Sequence, residues 1–484
     1  ARRGTRSAPR GGIPAVIALT LAEIAQATEG RLVLGTGGSA ETLVVSGDAQ
    51  TDSREIEPGQ IFFARRGEET DGHVFATAAV DRGAAALVVE REVDGRVPQI
   101  VVDDSTLALG RLATAVVRRV REAGQLRIVG ITGSNGKTTT KNLVAAMAAR
   151  IGPTVASERS FNNEVGGPLT MLRVRSDTRT LVAELGASAE GEISRLTAMA
   201  PPHIGVVLSV GLAHAGEFGG IETTFRTKSE MVRDLPTDAV AVLNRDDPRV
   251  ALMADLTRAR VRFFGQHPDA SVRAENVEGS ASGTTFTLTV DGQSGPVNFR
   301  VLGEHHVANA LAAAAVAAEL GVPFADIVAS LEAAELAAPG RMQVLGGRDQ
   351  VTIINDAYNA SPDSMSAALK TLAQISRSGS RSVAVLGAMS ELGEFSGDEH
   401  DRIGLQVVRL GISELVVVGP EARRLHITAI NEGSWDGESV FFDTQEGAYA
   451  YLLETLQPGD TVLVKSSNAA GLQSLGDRLG EAYA

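Results

Sequence analysis

The chain has 484 residues, 43 % hydrophobic and 21 % charged, an ordinary globular composition whose length predicts about three domains rather than one core. Asp and Glu outnumber Lys and Arg by 59 to 45, a formal net charge of −14, which argues against a nucleic-acid partner but leaves an anionic small substrate open. There is no cysteine, so disulfides, thiolate metal sites and Cys nucleophiles are excluded.

No apolar run approaches the roughly 20 residues of a membrane-spanning helix. Arg2, Arg3, Arg6 and Arg10 are followed by no long apolar segment, so residues 1–16 are expected to be a disordered tail rather than a secretory signal. Ordered-looking sequence begins at Ile17, which makes Val16 a candidate natural start. Thr20 followed by Glu23 predicts an N-cap and a short helix. Short apolar segments at Leu43–Ser46, Gln60–Ala64, Ala86–Glu90 and Gln99–Asp103, with a helical stretch at Phe75–Arg82, predict a small α/β domain over 17–125.

From Arg127 the texture changes. Ile128–Thr132 predicts a buried strand that runs into a Gly-rich turn and a helix over Lys137–Arg150. Thr180–Leu185, Ile204–Val210 and Ala239–Leu243 predict further strands of a mainly parallel sheet covered by helices. Between Val261 and Val301 the alternation Thr285–Val290 and the turn Asp291-Gly292 predict a β-hairpin side sheet. An Ala-rich helix over His306–Leu320 completes a central domain, 126–338. Pro339-Gly340 marks the next boundary. Strands at Thr352–Asn355, Ser382–Gly387, Glu414–Gly419 and Thr461–Lys465, separated by helical patterns, predict a Rossmann-like third domain, 339–484. The expected class is therefore α/β in three domains.

The loop Gly133-Ser134-Asn135-Gly136-Lys137-Thr138 carries the clearest chemistry. Glycines let backbone N–H groups converge on phosphate oxygens, and the helix start behind them favours negative charge. Lys137 suits the terminal phosphates and the Thr138 hydroxyl suits Mg²⁺. Ile131 stands where a strict P-loop has its first Gly. Glu184 ends a strand, where α/β sheets place ligand-binding groups, and reads equally as a metal ligand or a satisfied acid. His214 follows another strand end. Asn162-Asn163 read as ligand contacts or as turn builders. By composition Thr227-Lys228-Ser229-Glu230 reads as a solvated helix face. Asp356–Pro362 follows the first strand of the third domain, a topological position for ligand contact or an Asx-type turn.

Taken in order, these motifs resemble the Mur ligase family of peptidoglycan synthesis over nearly the whole chain from Ile17. The N-terminal part of the resemblance lies in Thr51–Ala64 and Asp71-Gly72-His73. The central part lies in Thr132–Thr139, Asn162-Asn163, Glu184-Leu185-Gly186, His214, Lys228, Asn244–Pro248 and Asn309-Ala310-Leu311. The third lies in Pro339–Met342, Asp356–Ser361 and Gly387–Gly393. On this likeness Ile131 is a mark of the family's version of the loop.

The resemblance implies an ATP-dependent, ADP-forming ligase of the branch that adds D-alanyl-D-alanine to the UDP-N-acetylmuramoyl tripeptide through an acyl phosphate. It implies that Gly133, Ser134, Asn135, Gly136, Lys137, Thr138 and Thr139 handle the ATP phosphates. Thr138, Glu184, His214 and Lys228 would serve two Mg²⁺ sites, with Lys228 carbamylated and Lys137, Lys228 and His214 in catalytic roles. Asn309, Arg341, Asp356 and Tyr358 would contact the nucleoside. Ser53, Arg54 and His73 would contact the UDP end, and Asn162 and Asn163 the UDP-sugar peptide. A cytoplasmic monomer is expected. Two stretches depart from the family pattern: Val464–Asn468 lacks its Arg, and His306 stands where it has Asn. The alternatives are a diamino-acid ligase acting on the dipeptide, which has an Asp-Asn-Pro-Arg motif absent here, and a non-catalytic nucleotide-binding regulator. The regulator would be expected to lose Lys137, Glu184, His214 or Lys228, and all four are present.

Overall fold

A computed structural model of the chain describes residues 18–35, 43–45, 48–67, 70–94, 96–158, 160–211, 220–334, 339–376, 380–432 and 435–484. The expected tail 1–16, the candidate start at Val16, and His214 lie outside the described residues. The described residues group into two compact units: residues up to 129 with 152–183 and 195–201, and residues 130–151 and 184–194 with those from 202 onward.

In the first unit, the helix Leu21–Thr28 opens with a reciprocal capping box. Glu23 N–H donates to Thr20 Oγ1 at 3.2 Å, and Thr20 N–H donates to Glu23 Oε2 at 2.8 Å. β1 (Leu19–Thr20) pairs antiparallel with β3 (Val44–Val45). β2 (Arg31–Val33), β4 (Ala49–Gln50), β5 (Ile61–Phe63), β6 (Ala86–Val89) and β7 (Gln99–Val101) form one sheet in the order β2-β7-β6-β5-β4. β4 to β7 are parallel, and every residue of β5 and β6 is buried, as their unbroken apolar runs require. The helix Ser105–Ala123 was not anticipated. Asp104 caps it by accepting from Thr106 N and Leu107 N, and Leu109, Leu112, Val116 and Val120 bury one face at helical spacing. That cap and stripe were legible in the sequence.

The longest sheet has the order β16-β15-β14-β13-β12-β11-β8-β10-β9. Its strands are β8 (Arg127–Thr132), β9 (Thr154–Ala156), β10 (Thr180–Glu184), β11 (Ile204–Val207), β12 (Val240–Asn244), β13 (Arg260–Gly265), β14 (Val272–Ser280), β15 (Gly283–Val290) and β16 (Gln293–Phe299). The expected hairpin is β15–β16, and Asp291 and Gly292 turn it at φ 48° and 81°. It is not a separate side sheet: β14 pairs in parallel with β13, so the hairpin prolongs the parallel sheet at its edge.

The third sheet, β17 (Gln343–Gly346), β18 (Thr352–Asn355), β19 (Ser382–Leu386), β20 (Glu414–Val418), β21 (Glu438–Phe442) and β22 (Thr461–Lys465), is ordered β17-β18-β22-β19-β20-β21. Only β17 is antiparallel. Alternate residues feed two cores: Ile354, Ala384, Leu386, Leu415 and Leu463 on one face, Ile353, Val383, Val385, Val416 and Val462 on the other. β22, last in the chain, lies between β18 and β19. The carboxyl ends of these three strands therefore meet at a topological switch point, where such sheets bind ligands. Among the described residues no helix is long and apolar enough to cross a membrane.

Candidate nucleotide and ligation site

The buried strand β8 delivers the chain to Gly133, whose φ of 151° directs the turn. Ser134 N–H donates to Ser209 O at 2.9 Å and Asn135 N–H to Ser209 Oγ at 3.2 Å, which ties the loop to the chain beyond β11. Gly136, at φ 82°, precedes the helix Lys137–Ala148. Its hydrogen faces the Asn309 side chain, and a Cβ would collide with Asn309 Oδ1. No side chain caps the helix start, so its first N–H groups remain suited to an anion such as a phosphate. Thr138 and Thr139 are buried in that first turn. Lys137 Nζ donates to Gly133 O at 2.7 Å, which folds the ammonium back over the loop.

Charge is concentrated behind this loop. Glu184, at the end of β10, is 1 % exposed, and Lys141 Nζ lies 3.9 Å from its Oε2. Lys141 was not singled out from the sequence, although a Lys four residues after Lys137 shares its helix face. Burial pushes Lys137 below the usual lysine range; Arg341 adds to this and Glu184 opposes it. Lys228 is pushed down to about 7, first by burial and then by the charge of Lys137, against the pull of Glu230 and Glu192. The reading of 227–230 as a solvated face is overturned. All four residues are buried on the helix Ile221–Arg233, with Lys228 2 % exposed. Glu230 fastens this helix by accepting from Gly191 N at 2.6 Å and Ser194 N at 3.0 Å. A buried lysine under the charge of a second, half-buried one favours a polyanion, which would relieve both desolvation and repulsion.

The expected nucleoside residues fall in two groups, Asn309 on one side and Arg341, Asp356 and Tyr358 on the other. Asn309 donates from Nδ2 to His306 Nδ1 at 3.1 Å and accepts from Thr140 Oγ1 at 3.3 Å. The Arg341 guanidinium lies 4.2 Å from the Tyr358 ring centroid. Asp356 accepts from Met342 N at 2.9 Å and from Lys465 Nζ at 2.6 Å, so its carboxylate already braces the segment that carries Arg341. Lys465, buried at the end of β22 and also donating to Asn359 O, is a site element to which sequence reasoning gave no role.

The expected UDP residues are arranged differently. Ser53 is buried in a short 3₁₀ turn that Asp52 opens by accepting from Arg54 N. Arg54 is 87 % exposed in its side chain and pairs with Asp52 at 2.6 Å. His73 is buried with both ring nitrogens engaged. Glu90 N–H donates to Nε2 at 2.8 Å, which places the proton on Nδ1, and that nitrogen donates to Asp71 Oδ1 at 2.5 Å. No ring nitrogen of His73 is left for a nucleotide. Asn163 Oδ1 accepts from Val165 N and Gly166 N, the turn-building option, while Asn162 lies beside it in the same loop.

Among the described residues no three His, Asp or Glu side chains cluster to hold a metal. Glu184 and Thr138 offer one buried carboxylate and one hydroxyl, donors of the kind Mg²⁺ takes together with water and phosphate oxygens.

Residues 131–317 match the Mur ligase middle domain, 340–468 the Mur ligase glutamate ligase domain, and 49–116 the Mur ligase family catalytic domain. A UDP-N-acetylmuramoyl-tripeptide–D-alanyl-D-alanine ligase of Mycobacterium tuberculosis is 43 % identical over 96 % of this chain and 98 % of its own length. The ligase of that name from Escherichia coli is 34 % identical over 88 % and 92 %. A MurF crystal structure from Acinetobacter baumannii superposes with a TM-score of 0.86 at 32 % identity, covering 97 % of this chain and 100 % of that one. The Thermotoga maritima MurF ligase in complex with ADP gives 0.78 at 27 % identity, covering 90 % and 97 %. The chain belongs to the Mur ligase family.

Proposed function

We propose that this chain is an ATP-dependent ligase that joins D-alanyl-D-alanine to a UDP-N-acetylmuramoyl-tripeptide. The observation that carries the reading is the phosphate loop with Lys137 folded over it and Lys228 buried behind it, at a depressed pKa, in a chain 43 % identical over nearly its whole length to a ligase of that name. The tripeptide carboxylate attacks the γ-phosphorus of ATP, and ADP leaves. The dipeptide amine then attacks the acyl phosphate carbonyl, inorganic phosphate leaves, and the nitrogen loses its proton. An amine does not displace oxide from a carboxylate directly, so the first step is needed. Positioning and charge neutralisation supply most of the catalysis.

In this reading 133–139 cradle the phosphates, and Asn309, Arg341 and Tyr358 frame the nucleoside. Lys228, a lysine with appreciable free amine near neutrality, adds through its nitrogen to CO₂ and releases a proton to become a carbamate. With that carbamate, Glu184, Thr138 and His214 would hold Mg²⁺. Mg²⁺ bound there would offset charge on the phosphates. Ser53 and Arg54 would serve the UDP end. The division into 17–125, 126–338 and 339–484, a monomeric state and a cytoplasmic location belong to the same proposal. The test is phosphate release from ATP. It is expected only with both UDP-N-acetylmuramoyl-tripeptide and D-alanyl-D-alanine present, and release independent of either substrate would refute the ligase.

A further inference from the structure

The helix Pro362–Ser376 of the third sheet's layer starts directly on the phosphate loop. Ser361, buried just before it, donates from Oγ to Asn135 Oδ1 at 3.1 Å. The same oxygen accepts from Ser364 N at 3.3 Å, and Ser361 N–H donates back to Ser364 Oγ at 2.9 Å. One hydroxyl thus closes the first turn of the helix and grips the loop. Asp363, in that first turn, packs its carboxylate against Gly211, where a Cβ would collide with it. Gly211 is held in turn by Ser134, whose Oγ accepts from Gly211 N at 2.8 Å and donates to Gly211 O at 3.2 Å. Two adjacent loop residues, Ser134 and Asn135, therefore meet the helix start, one through Gly211 and one directly.

Farther along the same helix, Gln374 Nε2 donates to Glu304 Oε1 at 2.7 Å, beside the helix that carries His306 and Asn309. Its other face, with Met365, Ala368, Leu369 and Leu372, lies in the core under β18, β19 and β22. The helix start thus links the phosphate loop to the carboxyl end of β18, and its far end is fixed at Glu304.

We propose that Ser361 is a positioning residue: its bond to Asn135 latches the strand-end crevice, which the same proposal assigns to the incoming amine, against the phosphate loop. The inference rests on the ligase reading above. It also assigns the Asn135 side chain to the latch. Loosening the latch lets water compete with the amine: water oxygen attacks the acyl phosphate and returns the carboxylate and inorganic phosphate.

The test compares Ser361→Ala, Ser361→Thr and Asn135→Ala in the full chain, measuring phosphate released per amide formed. In Ser361→Ala the Michaelis constant for D-alanyl-D-alanine is expected to rise about 5-fold, the scale of one lost hydrogen bond, and phosphate to exceed amide. Ser361→Thr restores both, and the Asn135→Ala/Ser361→Ala double variant is no worse in dipeptide KM than the worse single. A phosphate-to-amide ratio of one with an unchanged dipeptide KM in Ser361→Ala overturns the latch, as does a uniform loss of rate that Thr does not restore. Hydrogen exchange with ADP bound gives a readout independent of ligation. Amides of 361, 363–365 and 133–137 should exchange faster in Ser361→Ala and in Asn135→Ala, and unchanged exchange in both refutes the latch. Wild-type protein that forms no amide overturns the ligase reading, and the exchange result still decides the latch.

Discussion

The phosphate-loop region and the region of Ser53, Arg54 and His73 handle polar side chains in opposite ways. Around the loop, Lys228 is buried and Lys137 half-buried, the charge of Lys137 acts on Lys228, and both are driven toward their neutral forms. In the N-terminal unit, His73 has a partner on each nitrogen and Arg54 stands in solvent beside Asp52. The lesson is that ionisable groups kept under electrostatic stress are the strongest candidates for chemistry, whereas a buried histidine with both nitrogens satisfied belongs to the scaffold. A polar residue at a motif position belongs to one class or the other according to its neighbours.

The sharpest way to break this contrast is Lys137→Ala. Removal of a preorganised cation from the phosphates should lower kcat by about 10³-fold with a thermal midpoint close to wild type, measured by steady-state kinetics and calorimetry. Lys228→Ala should cost about 10²-fold, by the same reasoning about charge in a buried site. Added acetate or formate should return part of the rate, and undiminished activity in the variant would remove the carbamate from the proposal. Arg54→Ala should act only on binding. The Michaelis constant for the UDP substrate should rise about 5-fold, the effect of one exposed charge contact, with kcat unchanged.

His73→Ala should leave kcat within about 2-fold and instead lower stability by about 1–3 kcal/mol, because Glu90 N–H loses its acceptor, as read from denaturant unfolding. A large loss of kcat there would move His73 into the chemical class. The smallest effect concerns pH. Burial holds buried His306 well below the ordinary histidine value of 6.5, so the folded chain keeps it neutral while the unfolded chain protonates it. Its contribution is complete above about pH 6.5 and is lost as pH falls below that value. The thermal midpoint should drop less between pH 7.5 and 5.5 in His306→Asn than in the wild type.

Much of the fold is legible in the sequence alone. Strands such as β8, β10, β18 and β22 are continuous apolar runs, and each lies within two or three residues of where the sequence predicts it. The helix Ser105–Ala123 was legible too, through Asp104 and its apolar stripe. β17 was not: it is a four-residue edge strand with alternate residues half-buried and exposed, recognisable only by its partner β18. Within the site, the phosphate loop announced itself, but Lys465 did not, because its partner Asp356 is 109 residues away.

The sequence by itself determined the loop, the capped helices and the alternation of strands with helices. These depend on neighbours in the chain: Gly133 and Gly136 at positive φ, Thr20 capping its helix, and apolar periodicity. The tertiary structure decided which polar residues are chemical. It buried Lys228 where composition suggested a solvated face, closed both nitrogens of His73, and set Ser361 on Asn135 across 226 residues. Desolvation and pairing are fixed by whatever packs against a side chain in space, and one strand of text does not contain that information until it folds.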